Sequence, residues 1–147
     1  MKRLTLIILL SATAILVQAQ EATQEHKDSL IHIVNQYYAL NEIIFQANST
    51  LNDIDQLFEL FTEDFTYVHP KYGGEYSRND LLEGYMRNQE NSGYNGDVTA
   101  IKVLQMIVGL NAVATEKQFI HLNSESEPQM TLFEFENGKI SRIQEYW

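Results

Sequence analysis

The chemistry open to this chain is bounded by its histidines and by what it lacks. It has four histidines and no cysteine, so thiolate nucleophiles, disulfides, cysteine metal sites and a cysteine-borne lipid anchor are all excluded. His26 and His32 stand six residues apart, on different sides of a helix. No His-x-x-x-His pair or clustered carboxylate loop occurs, so no metal is expected. His121 borders a polar loop and reads as a rim or surface residue. His69 is different. It ends the run Phe65-Thr66-Tyr67-Val68-His69, and Pro70 fixes the backbone just after it. An imidazole held by a carboxylate can move protons near neutral pH. Glu145, near the end of the last strand pattern, is the candidate carboxylate, which makes His69 and Glu145 the candidate catalytic pair. The alternative is an exposed strand-end histidine and a solvated acid on a sheet edge. The sequence has no phosphate-cradling glycine loop, no Gly-x-Ser-x-Gly elbow and no basic-aromatic strip, and no cofactor is expected.

The elements that must carry these residues can be read from periodicity. Leu30, Ile33, Val34, Tyr37, Leu40, Asn41 and Ile44 recur at helical steps, predicting a helix over 24–48. Asn48-Ser49-Thr50, formally a glycosylation sequon, reads as a polar turn. Asn52 is placed to cap a second helix that carries Ile54, Leu57, Phe58 and Phe61 and ends near Glu63. Strand 65–69 follows, then a turn at Tyr72-Gly73-Gly74. Ser77 and Asp80 form a capping-box pattern ahead of a third helix with Leu81, Leu82, Tyr85 and Met86. Beyond the loop 91–97 the period becomes two, predicting strands at 99–108, 112–122, 130–136 and 139–147, the last two joined by an Asn137-Gly138 hairpin turn. The fold class is α+β: three helices and then four long antiparallel strands, a curved sheet wrapped around the N-terminal helices.

The first residues read as a targeting segment. Met1-Lys2-Arg3 is basic, 4–17 is uncharged and apolar, and Val17-Gln18-Ala19 offers a peptidase site. The apolar run is shorter than the ~20 residues that span a bilayer. A signal peptide over 1–19 and a single domain over 20–147 are therefore expected, with export to the periplasm or beyond and no stable membrane insertion after cleavage. Lys2 and Arg3 leave with the leader from the 10 basic residues, so 8 stand against 20 acidic ones, a net charge of −12. Such a field repels polyanions, and no nucleic-acid partner is expected.

The stretch "LFELFTEDFTYVHPKYGGEYSRNDLLEGYM", the long strands and "FEFENGKISRIQEYW" together resemble the nuclear-transport-factor-2-like superfamily over nearly all of 20–147. That group includes SnoaL-like polyketide cyclases, ketosteroid isomerases and scytalone dehydratases. The resemblance implies a cone-shaped (cystatin-like) fold with a pocket and a habit of homodimers. In ketosteroid isomerases an acid before a proline is the general base, and here that dipeptide is His69-Pro70. Their protonated oxyanion Asp aligns with Thr131, and their oxyanion Tyr with Tyr37 or Tyr38. Steroid isomerisation is therefore not expected.

Strand alternation puts Phe65, Tyr67 and His69 on one face, Phe119 and His121 on another, and likewise Thr131, Phe133 and Phe135, and Ile143, Glu145 and Trp147. If these faces look at the helices, as the resemblance implies, the ligand-binding set is Tyr37, Phe65, Tyr67, Tyr85, Phe119, His121, Thr131, Phe133 and Trp147. Helical spacing allows Tyr37, Tyr38, Tyr85 and Met86 to be core packing instead. Three functions fit. The first is an exported domain holding a small, largely apolar molecule. The second is a cofactor-independent lyase, isomerase or cyclase with His69 as base. The third is a dimeric interaction module without ligand. The apolar side chains of Leu104, Met106 and Val108, read on the outer face of their strand, favour sheet-mediated homodimers.

Overall fold

A computed structural model describes residues 22–147; the expected leader 1–19 and its cleavage site lie outside the described residues. In chain order the elements are α1 (Gln24–Ile44), α2 (Leu51–Phe58), β1 (Phe61–His69), a short 3-10 turn (Pro70–Tyr72), β2 (Gly74–Ser77), α3 (Arg78–Glu90), β3 (Val98–Val108), β4 (Ala112–His121), β5 (Gln129–Glu136) and β6 (Lys139–Glu145). The strands form one curved, unclosed six-stranded sheet in the order β2-β1-β6-β5-β4-β3. The α+β class and the helix-packed curved sheet match the expectation.

Local chemistry sets the helix ends. Thr23 caps α1 by accepting from the backbone N–H of His26. The capping box of α2 uses Thr50 and Asp53 rather than Asn52, and this helix stops at Phe58 rather than Glu63. Ser77 and Asp80 close the expected capping box of α3. Helix α1 ends at Ile44, short of the expected 48. Its buried stripe of Leu30, Val34, Tyr37, Tyr38, Asn41 and Ile44 faces β3 and β4. Phe61, Phe65, Phe133, Ile140 and Ile143 complete the core, with Phe61 and Phe65 stacked at 4.1 Å.

The sheet departs from expectation in three ways. It is mixed, not wholly antiparallel, because β1 runs parallel to β6. β1 begins at Phe61, four residues early, because Phe61 already pairs with Ile140 before an irregularity re-phases the strand at Thr66. A short edge strand, β2, occupies what reads as turn and cap residues, pairing Tyr76 with Tyr67.

Two bulges decide which side chains face inward. In β3, Val103 pairs with Lys117 and Gln105 with Glu116, so Leu104 is the extra residue. The alternation reverses there, and Met106 and Val108 pack against the core instead of outward, while Leu104 and Ile107 are exposed. The shared outer face expected for Leu104, Met106 and Val108 is thus broken. In β6, Glu134 pairs with Arg142 and Phe135 with Ile140, leaving Ser141 unpaired. That shift turns Ile143 and Glu145 to the helix side. The hairpin before it is an Asn137-Gly138 turn with φ of 52° and 76°, a left-handed pair that only such residues adopt cheaply.

Candidate functional site

Between the helices and the concave side of the sheet lies a cavity of about 670 Å³. Helix α1 contributes Tyr37, Tyr38 and Asn41, with Phe45 just beyond it. From the sheet come Tyr67 and His69 of β1, Tyr76 of β2, Ile101 of β3, Lys117 and Phe119 of β4 and Glu145 of β6, followed by Trp147. Helix α3 closes the other side with Leu81, Gly84 and Tyr85, and the exposed Asp80, Arg87 and Asn88 form the rim with Tyr72.

The polar floor is a network on one carboxylate oxygen. Glu145 Oε2 accepts from Lys117 Nζ at 3.1 Å, from Thr131 Oγ1 at 2.7 Å and from Trp147 Nε1 at 2.8 Å. Lys117 Nζ also donates to Thr131 Oγ1 at 2.7 Å. These groups are buried: Glu145 is 4% exposed, Lys117 2% and Thr131 0%. The geometry follows from register, since Thr131 stands opposite Glu145 across β5 and β6, and Lys117 is two residues on from Thr115, the partner of Thr131 in β4. Burial pushes the Lys117 ammonium below its ordinary value, and attraction to Glu145 pulls it back. The other oxygen, Oε1, takes no hydrogen bond from a described residue, and Glu145 lines the cavity.

His69 sits beside this network without joining it. It is 1% exposed, and neither ring nitrogen has a hydrogen-bond partner among the described residues. Trp147 meets its ring edge-on at 4.4 Å, and Tyr72 covers it at 4.3 Å. Lys71 Nζ and Lys117 Nζ each approach the Trp147 ring, at 5.4 Å and 5.7 Å. Burial lowers the His69 pKa from its ordinary 6.5. Glu145 opposes the shift, and Lys71 and Lys117 add to it. At neutral pH this shift favours the neutral imidazole.

The tyrosines are held in their protonated form. Burial first, and then neighbouring phenols and Glu145, raise the pKa of Tyr37, Tyr67 and Tyr85. Tyr85 donates to Asn41 Oδ1 at 2.6 Å, and Asn41 Nδ2 donates to the Tyr37 carbonyl at 2.9 Å, which fixes Tyr85 against α1. Tyr38 is tied to Thr115 at 2.6 Å.

Of the sequence-predicted residues, Tyr37, Tyr67, His69, Tyr85, Phe119, Glu145 and Trp147 come together on the cavity wall. Phe65 and Phe133 are core residues behind it, Phe133 packing under Tyr37 and Tyr38. Thr131 lies beneath the floor as a link between Lys117 and Glu145. His121 is off the cavity, its Nδ1 2.7 Å from Asp97 at the far end of β4. Glu145 is on an interior strand, not an edge, and its partners are Lys117, Thr131 and Trp147 rather than His69. Lys117, Tyr72, Tyr76 and Tyr94 are among the site residues that sequence reasoning passed over. Lys117 was within reach, because it shares the parity of Phe119 and His121.

No protein-family model and no curated protein matches the chain. Solved structures match its fold. A nuclear-transport-factor-2-like protein of unknown function from Pseudomonas aeruginosa superposes with a TM-score of 0.62 at 16% identity, covering 80% of this chain and 96% of that one. A second such protein, from Burkholderia xenovorans, gives 0.59 at 17% identity over 81% and 82% of the two chains. An LEH-like epoxide hydrolase of M. tuberculosis gives 0.57 at 18% identity over 82% and 83%. The chain has the nuclear-transport-factor-2-like fold.

The state of His69 makes stability depend on pH in a definite direction. Its folded pKa is depressed, so the unfolded chain binds its proton first, and stability is full above 6.5 and declines as the pH falls below it. Between about pH 7 and about pH 5, the Tm of the wild type should fall further than that of His69→Gln. Parallel Tm profiles in a thermal-denaturation series would show that His69 is not held neutral.

Proposed function

We propose that this chain is an exported small-molecule-binding domain whose cavity takes up a small, largely apolar molecule. The observation that carries this is the cavity itself. At about 670 Å³ it lies within the ~300–1,000 Å³ range of ligand sites. Its walls are aromatic, and its few polar groups are fixed by one another rather than mobile. The leader-like residues 1–19 support export, with the ligand met outside the cytoplasm.

A second reading has its own support. His69 is buried, its pKa is lowered, and neither ring nitrogen has a partner among the described residues, a state suited to a general base. A lyase, isomerase or cyclase would use it without a cofactor. Both nitrogens are shut off behind Trp147 and Tyr72, so a substrate has to displace one of those rings to reach them. Binding is therefore placed first and catalysis second.

A homodimer is proposed with the binding role. Ile107, Ala114 and Leu132 stand in one row across β3, β4 and β5 on the side away from the helices, with exposed Leu104 and Met130 nearby. An apolar row on an open sheet face favours association. Sedimentation of the wild type should give the mass of two chains, and Ile107→Glu should move it toward one. A wild type that stays a single chain at every concentration would remove the dimer.

Trp147 is the single tryptophan and lines the cavity, so ligand entry reports on itself. Neutral aromatic compounds should change its emission saturably and raise Tm. Gly84 lines the cavity on α3, and nothing lies within 4 Å of a Cβ built there. Gly84→Leu should therefore fold, gain some helix stability and fill the space. It should weaken binding by about tenfold or more, roughly the worth of 1.4 kcal/mol. Unchanged affinity in a folded Gly84→Leu protein would place the ligand elsewhere.

A further inference from the structure

The binding role proposed above leaves open which end of a ligand enters first and what chemistry that end carries. The floor of the cavity answers both. Glu145 lines the cavity; its Oε2 accepts from three donors, whereas Oε1 takes no hydrogen bond from a described residue. The cation bonded to Glu145, Lys117, already spends two of its three N–H groups on Thr131 and on that same carboxylate. The floor therefore presents an acceptor whose charge is balanced from behind. Beside it stand Tyr37 and Tyr67, which line the same cavity as protonated phenols able to donate.

We propose that the cavity selects, among molecules of equal shape, those whose inward end is a neutral hydroxyl, and disfavours carboxylates. A hydroxyl both donates to Glu145 Oε1 and accepts from a tyrosine O–H, so the free carboxylate oxygen gains a donor and one phenol an acceptor. A carboxylate placed there would set two anionic oxygens against each other, with Lys117 already committed to Glu145. It could turn outward toward Arg87 at the rim. Hydrocarbon would then cover Oε1, and a buried acceptor without a donor is costly. A plain hydrocarbon carries the same penalty.

The test uses three molecules of nearly one shape, cyclohexylbenzene, para-cyclohexylphenol and para-cyclohexylbenzoate, titrated at neutral pH against Trp147 emission, with Tm as a second readout. The phenol should bind about tenfold tighter than either of the others, the scale of one hydrogen bond to a charged group. In Glu145→Gln the carboxylate should gain at least about tenfold on the phenol, because Lys117 is released to pair with it. In the double variant Lys117→Met/Glu145→Gln, which leaves no lone buried charge, the lead of the phenol over cyclohexylbenzene should shrink to within about threefold. Far-UV dichroism shows which variants are folded, and the wild-type order stands as a test without them. If cyclohexylbenzene binds and the benzoate equals or beats the phenol in the wild type, the inference fails and the binding role stands. If none of the three binds, the binding role fails and the inference goes with it.

Discussion

A carboxylate that is only 4% exposed must find inside the protein the solvation it would have had in water. Glu145 finds it on one oxygen, from donors on β4 and β5 and from the indole that follows β6. Much of the concave side depends on that arrangement. It turns an isolated lysine of β4 into a paired one, it gives Thr131 a role as both donor and acceptor, and it holds Trp147 against the cavity. A buried pair of this kind is weak evidence for stability, because desolvation consumes most of the attraction. Its effect here is positional. Three strands and the segment after β6 are brought into one register around a single oxygen.

The position of Trp147 then shapes His69. The indole covers the imidazole edge-on while Tyr72 packs on it at 4.3 Å, and the buried ring has no hydrogen-bond partner among the described residues. A buried polar group left unsatisfied costs free energy. Proteins retain such groups where a ligand or a proton completes them. The wall around the pair is aromatic and the rim polar, an arrangement in which apolar area supplies affinity and the few fixed polar groups supply orientation.

Much of this was legible in the sequence, and the limits are specific. Alternation placed Tyr67 with His69 and Glu145 with Trp147 because side chains on a strand repeat every two residues. The Ser77–Asp80 box and the Asn137-Gly138 turn declared themselves through local chemistry. Bulges do not. The unpaired Leu104 and Ser141 carry no compositional mark, yet each reverses which residues face the helices, and Met106 and Val108 turned inward as a result. The parallel pairing of β1 with β6 is a non-local choice invisible to periodicity. Partner choice was the other blind spot. His69 and Glu145 share the cavity as expected, but the carboxylate takes its hydrogen bonds from Lys117, a residue type ordinarily assumed to be solvated.

Because the chain holds one tryptophan, the network can be read from a single proton. The indole Nε1–H of Trp147, observed by nitrogen-edited NMR, reports directly on its bond to Glu145 Oε2 at 2.8 Å. Donation to a carboxylate shifts such a proton downfield, and burial slows its exchange with water. A downfield, slowly exchanging indole resonance that moves toward the free-indole position in Glu145→Gln is the expected result. A resonance at the free-indole position that exchanges rapidly in the wild type would mean that Trp147 is not held by Glu145, and the fixed floor of the cavity would be lost with it.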